Sequence, residues 1–364
     1  MKKAQTPPLA LPITEWPERD RQLWEEVITP PASPFQIASL ASSWSPRRQL
    51  ICRQAYGQWL SWLMARGVLL EQEHPEERIR PARLEEFVTD LIKRVAPVSV
   101  AMMIGAITRV LAVLAPETDW AWLRRIYQDL KAWASPSRNK RHYIVPSADL
   151  YALGIDLIET AQKSDKDPYW QATQYRDGLM IALLAARPLR LRNFGALTLG
   201  ISLLKDGSSY KIAFSADETK NGTAIETPLP FSLSAYLETY LSQHRALLLD
   251  RRETGTHMTM ALWVSRWGTA MGEAAVRHQI KLRTQAAFGH AIWPHLFRAC
   301  AATSLAVGAP EEVRHAAALL GHTTFATTEK YYIQAQTLLA GQSHQQAILE
   351  LRKEINSTPD HQLL

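Results

Sequence analysis

The chain has 364 residues, 46% of them hydrophobic, a net charge of +6 and a pI near 9.3. That length suits two or three domains with a sizeable core, which excludes a disordered or fibrous chain, and the basic balance suits a polyanionic partner. Its two cysteines, Cys52 and Cys300, exclude a disulfide framework and point to a reducing compartment. No apolar run is read as approaching the ~20 residues a membrane span needs, and residues 1–8 lack the apolar core of a signal peptide. The expectation is a cytoplasmic protein with no membrane partner.

In chain order, residues 1–34 are rich in proline from Pro7 to Pro34 and read as an irregular arm with one short helix around Trp24. Residues 35–134 read as a helical domain. Ser45-Pro46 has the cap and first-turn proline of a helix start, and Ile51, Ala55, Trp59 and Trp62 follow at helical spacing. A second helix carries Leu84, Phe87, Leu91 and Ile92. A third begins at Ser99 and carries Ile104, Ile107 and Leu111, and a fourth runs from Trp120 to Trp133.

Residues 135–146 are polar and basic, with Arg138, Lys140 and Arg141, and mark a linker. A second domain over 147–340 is expected to open at Ser147 as N-cap. Within it Tyr210, Ile212 and Phe214 alternate with Lys211 and Ala213, which is strand period. Asn221-Gly222 signals a hairpin turn beside Lys220. Helix returns after 231, with loops near Gly255 and Gly268, and residues 341–364 hold a short amphipathic tail helix. The expected fold is mainly α with a small antiparallel β-sheet.

The polar residues suggest phosphodiester chemistry. Cleavage by a side-chain nucleophile needs an in-line attacker, compensation of the nonbridging charge, a base and an acid. No cluster of carboxylates suggests a held metal, so guanidinium groups become the candidate phosphate clamp. Arg187, Arg190 and Arg192 are spaced so that they cannot share one helix face, and any of them could be a solvated turn residue. His295 and Arg298 are three apart, after Pro294, and share a face if helical. Alone they could be a cap and a surface arginine. His322 in Leu320-Gly321-His322 could be an ordinary loop residue, Lys220 a solvated hairpin lysine, and Tyr331 and Tyr332 a core pair.

Their order and spacing resemble the tyrosine recombinases, or phage integrase family. That family carries R-x-x-E-L, a hairpin lysine, H-x-x-R, and L-G-H with a tyrosine nine residues on. Here stand Arg190-Leu191-Arg192-Asn193-Phe194, Lys220 before Asn221-Gly222, His295-Leu296-Phe297-Arg298, and Leu320-Gly321-His322 with Tyr331. The likeness covers residues from about 147 to 335. It selects Arg190 over Arg187 and Arg192, and Tyr331 over Tyr332. Asn193 stands where the family usually has an acid, a residue thought to support the site.

The resemblance implies a two-domain clamp, a helical core-binding domain plus an α+β catalytic domain, acting as a site-specific DNA recombinase. In it Tyr331 would form a 3′-phosphotyrosyl link, Arg190 and Arg298 would bind the phosphate, and His295 would act as base. Lys220 would protonate the leaving 5′-oxygen and His322 would hydrogen-bond the phosphate. No metal and no cofactor would be needed. The partner would be double-stranded DNA carrying recombination sites, bound by a homotetramer in synapsis and by a monomer or dimer when free. The tail helix would dock on a neighbouring protomer. Arg47, Arg48, Arg53, Thr108 and Arg109, with the linker's Arg138, Lys140 and Arg141, are candidate DNA contacts. A type IB topoisomerase and a noncatalytic DNA-binding relative are the rival readings.

Overall fold

Proline at the first helical position, where its missing N–H costs nothing, opens six of the helices: Pro46, Pro75, Pro81, Pro97, Pro168 and Pro294. The computed structural model describes residues 8–134, 140–253, 257–308 and 344–352. The chain divides into two units, residues 1–139 and 140–364.

The first unit contains α1 (Glu18–Ile28), α2 (Pro46–Met64), α3 (Pro75–Arg78), α4 (Pro81–Ile92), α5 (Pro97–Leu114) and α6 (Ala121–Trp133). Ser45 caps α2, its side chain accepting from Arg48 N at 3.3 Å. Within the stretch expected to be an irregular arm, the short helix expected around Trp24 is α1, and Leu11, Trp16 and Trp24 pack into this unit's core. Trp24 of α1 is buried, and the Trp16 ring stands edge-on to Trp24 at 5.9 Å and to Tyr56 at 5.0 Å. Asp20 of α1 accepts from Arg78 Nη1 at 2.5 Å and from the Tyr56 hydroxyl at 2.7 Å, all three buried. The charges offset each other where water is excluded, and burial pushes the Tyr56 phenol well above its ordinary value.

Two other expectations are corrected here. The third helix starts at Pro97 after Ala96, not at Ser99. It is also, by length and composition, apolar enough to cross a bilayer, with a mean hydropathy of 1.9 over 18 residues. Within this unit it is the core helix: Val100, Ile104, Ile107 and Leu111 are fully buried.

The second unit contains α7 (Ser147–Lys163), α8 (Pro168–Ala186), α9 (Leu191–Gly195), β1 (Leu203–Asp206), β2 (Ser209–Phe214), β3 (Ile225–Pro228), α10 (Phe231–Thr239), α11 (Arg245–Asp250), α12 (Glu273–Phe288) and α13 (Pro294–Gly308). Residues 344–352 add an exposed helical stretch. Pro146, not Ser147, caps α7; Ser147 instead donates its backbone N–H to Ser304 Oγ at 2.9 Å. Helices α7 and α8 meet through glycines, for a Cβ on Gly178 would lie 2.6 Å from the Gly154 carbonyl oxygen. A buried ion network joins α8 to α12: Asp177 accepts from Arg176 and from Arg283, at 2.6 and 2.9 Å.

The sheet is antiparallel in the order β1-β2-β3. Tyr210, Ile212 and Phe214 are buried on one face of β2, as their period predicts. The tight turn is not at Asn221-Gly222. It is at Gly207-Ser208, where Gly207 has φ +59° and Asp206 pairs with Ser209. Asn221-Gly222 lies in the longer loop of residues 215–224 between β2 and β3.

Candidate active site

The site is built on the end of α8. Here the chain leaves the core through Arg187, Pro188 and Leu189 and turns into α9. Arg187 is structural: its Nε donates to the Pro228 carbonyl of β3 at 2.9 Å, and burial lowers its pKa. Arg190 is the extended residue that precedes α9, and its carbonyl accepts from Phe194 N at 2.9 Å. Its side chain is half-buried, whereas Arg192 is exposed and Asn193 and Phe194 point inward. Trp263 fastens the far end of α9, donating Nε1 to the Phe194 carbonyl at 2.9 Å while its ring packs on Phe194.

α13 brings the second arginine to this turn. Arg298 is buried, and its Nη1 donates to the Pro188 carbonyl at 2.7 Å, two residues before Arg190. His295 sits one turn earlier on the same helix and is exposed. α13 is held by Leu296, Phe297, Cys300, Ala301 and Ala306, all buried, and by Val145 N, which donates to Cys300 Sγ at 3.4 Å. Burial pushes the Cys300 thiol up to about 11. Entry into α13 is set by Thr284, whose hydroxyl accepts from Ile292 N at 2.9 Å.

The loop of residues 215–224 carries Lys220, which is exposed. The Glu218 carboxylate accepts from Ser215 N and Ser215 Oγ at 2.8 and 2.7 Å. Thr219, buried, accepts from Thr223 N at 3.1 Å. Asn193 then ties the loop to α9, its Nδ2 donating to the Glu218 carbonyl at 3.2 Å. Hydrogen bonds therefore draw the segments bearing Arg190, Lys220, His295 and Arg298 together. His322 and Tyr331 lie outside the described residues.

The candidate DNA contacts of the first unit fall differently. Arg47, Arg48, Arg53 and Arg109 are exposed. Burial raises the thiol pKa of Cys52, and Arg109 on α5, then the charge of Arg48 on α2, oppose that shift. Thr108 is corrected as a contact, because it is buried and its hydroxyl donates to the Ile104 carbonyl of its own helix at 2.8 Å. Arg138 lies outside the described residues. Lys140 and Arg141 belong to a 3-10 turn over Lys140–Tyr143, with their side chains outside the description.

Sequence reasoning passed over Thr219, Thr284 and Trp263, and it expected the Asn193 amide to keep hydrogen bonds without naming the Glu218 carbonyl as partner. Trp263 and Asn193 act on segments 69 and 25 residues away, which leaves no local signature; Thr219 and Thr284 close local turns through their hydroxyls. Among the described residues, no three His, Cys, Asp or Glu side chains are grouped as metal ligands.

A family model described as the phage integrase family matches residues 156–337. The tyrosine recombinase XerC of Pseudomonas syringae pv. tomato is 28% identical over 177 residues, 49% of this chain and 54% of that protein. The chain thus matches about half the length of this relative. A crystal structure of the site-specific recombinase XerH, bound to difH substrate in a pre-cleavage complex, shares the fold. Its TM-score is 0.55 at 14% identity, over 90% of this chain and 95% of that one. The crystal structure of XerA recombinase aligns at a TM-score of 0.39 and 20% identity, over 88% and 96% of the two chains.

Proposed function

The chain belongs to the phage integrase family, and from that premise we propose that it is a tyrosine-type site-specific recombinase that cuts and rejoins double-stranded DNA through a 3′-phosphotyrosyl intermediate. The observation that carries this reading is the bond from Arg298 to the Pro188 carbonyl, which ties the H-x-x-R arginine to the turn that bears Arg190. Two guanidinium groups so held suit the nonbridging oxygens of one phosphate.

Tyr331 attacks the scissile phosphorus. His295 takes its proton, needed because a phenol of pKa about 10 is a weak nucleophile near neutrality. The P–O5′ bond breaks, and Lys220 gives the leaving oxygen its proton. His322 donates to a nonbridging oxygen. The energy of the broken bond is kept in the tyrosyl ester, so a 5′-hydroxyl from the partner strand can reverse the step without ATP.

Four protomers on two sites would exchange the strands in turn, and the helix at residues 344–352, with Ile348, Leu349 and Leu351 exposed, would dock on a neighbouring protomer. The helical unit would hold the duplex through Arg47, Arg48, Arg53 and Arg109, and the basic stretch through Arg138, Lys140 and Arg141. Such contacts serve position rather than sequence. The reaction would take place on DNA in the cytoplasm.

The test is a duplex site, mapped first by protection of bound DNA and then nicked beside the cleavage point so that the freed strand diffuses away. In EDTA we expect a covalent protein–DNA adduct, lost in Tyr331→Phe with DNA binding retained. An adduct that persists in Tyr331→Phe and disappears in Tyr332→Phe, or one that needs Mg²⁺, overturns the mechanism. Relaxation of supercoils by a monomer that never pairs two sites would point to the topoisomerase instead.

A further inference from the structure

Asn193 stands where the related recombinases usually carry an acid, and its amide makes a bond that a carboxylate is unable to make. It is buried, three residues after Arg190, and donates Nδ2 to the Glu218 carbonyl at 3.2 Å. The acceptor is a backbone carbonyl, so the amide must present its nitrogen there. An ionised carboxylate accepts only, and would set its charge against the carbonyl dipole.

The other end of this bond leads to Lys220. The Glu218 carboxylate is engaged by Ser215, Thr219 is closed onto Thr223, and Gly222 takes a left-handed φ of +65°. These contacts make the stretch from Ser215 to Thr223 an internally braced loop. Shifting its Glu218 carbonyl therefore shifts Lys220, two residues on. β2 and β3 fix the loop only at its ends, and the Asn193 amide fixes it near its tip.

We propose that Asn193 is a positioning residue for the general acid: its amide holds the β2–β3 loop so that the Lys220 ammonium meets the leaving 5′-oxygen. This rests on the recombinase reading above. In the step concerned, the tyrosyl oxygen bonds to phosphorus, the P–O5′ bond breaks, and one proton passes from Lys220 Nζ to O5′. A loop that drifts leaves that proton out of reach, while the arginine clamp, anchored separately through Pro188, stays in place.

The experiment compares single-turnover cleavage of an ordinary site with the same site bearing sulfur in place of the bridging 5′-oxygen. A thiolate leaves without a proton, so any defect confined to proton delivery disappears. Asn193→Asp should cleave the ordinary site about 10- to 100-fold more slowly, part of the factor a general acid supplies. On the sulfur substrate it should fall within about threefold of the parent, the factor having vanished with the need for the acid. Asn193→Ala, which removes the donor without adding charge, should show the same pattern more mildly and serves if the aspartate variant does not fold.

Equal defects on both substrates, or no defect on either, overturn the proposal. Lys220→Ala is the control for the reading beneath it. If its defect also fails to shrink on sulfur, the role of Lys220 as acid is what fails; if it shrinks and that of Asn193→Asp does not, only the positioning proposal falls.

Discussion

Arg298 on α13 donates through Nη1 to the carbonyl of Pro188, 2.7 Å away and 110 residues earlier in the chain. The bond uses one corner of a guanidinium, a planar group that presents its N–H donors in fixed directions. A lysine keeps the charge but has no planar fork, so it must choose between the carbonyl and the ligand.

Arg298→Lys should therefore lower the single-turnover rate of adduct formation by about 100-fold or more, the range seen when one donor to a developing oxyanion is removed. Filter-binding affinity for the same duplex should change by less than about tenfold, one phosphate contact among many. A variant that cleaves at near-parental rate would show that Arg298 serves packing alone.

The network of Arg176, Asp177 and Arg283 makes a different demand. Asp177 is the acid between two guanidinium groups, and Arg176 also donates to the Val264 carbonyl at 2.8 Å. Asp177→Asn leaves two cations facing each other with no compensating charge, at a cost of about 3–5 kcal/mol. Urea unfolding followed by the fluorescence of Trp263, in a variant background lacking the other tryptophans of this unit, measures it. A loss below about 1 kcal/mol would place the network in the class of exposed pairs.

Stability should also depend on pH near neutrality through His244. Its ring stacks on Tyr175 with centroids 4.1 Å apart, and burial lowers its pKa below the ordinary 6.5. The unfolded chain then binds a proton at a higher pH than the folded one. Stability from this group is present above 6.5 and is lost as pH falls from there toward the folded value. Glu238 and Glu226, held down by Lys205 and Lys211, lose theirs only on falling through the carboxylate range near 4.5. The thermal midpoint should drop between pH 7 and pH 5.5, a window bracketing the ordinary histidine value of about 6.5, and His244→Phe should flatten that drop. Equal slopes in parent and variant would exclude His244 as its source.

Arg48 on α2 and Arg109 on α5 are both exposed, and the charge of each acts on the Cys52 thiol. If both hold phosphates, Arg48→Ala and Arg109→Ala should each reduce the slope of log K against log salt concentration by about 0.9. Binding isotherms between low and moderate salt read this directly. An unchanged slope in either variant assigns that arginine to a merely solvated face.

Much of this was legible without coordinates because the signals are local. A cap followed by proline marks α2 at Ser45-Pro46, and period two marks β2 at Tyr210, Ile212 and Phe214. The resemblance carried by Arg190, His295 and Arg298 names residues whose segments the fold draws to one turn. Where local signals compete, they mislead. Asn221-Gly222 has the composition of a two-residue turn and does lie between two paired strands, yet pairing stops at Phe214 and Ile225, so it sits inside a longer loop. Thr108 reads as polar surface and is buried, because α5 is enclosed by the first unit's core.

What the sequence by itself determined is the set of polar side chains and their order along the chain; the preference for Arg190 and Tyr331 over their neighbours comes from the family resemblance that this order carries. Only the tertiary structure decided which distant backbone groups those side chains would meet. The Pro188 carbonyl facing Arg298 and the Glu218 carbonyl facing Asn193 are acceptors that every residue possesses. No sequence marks one carbonyl apart from another. Their selection comes from the packing of α9, α13 and the sheet, which brings together segments remote along the chain and requires buried polar groups to find partners.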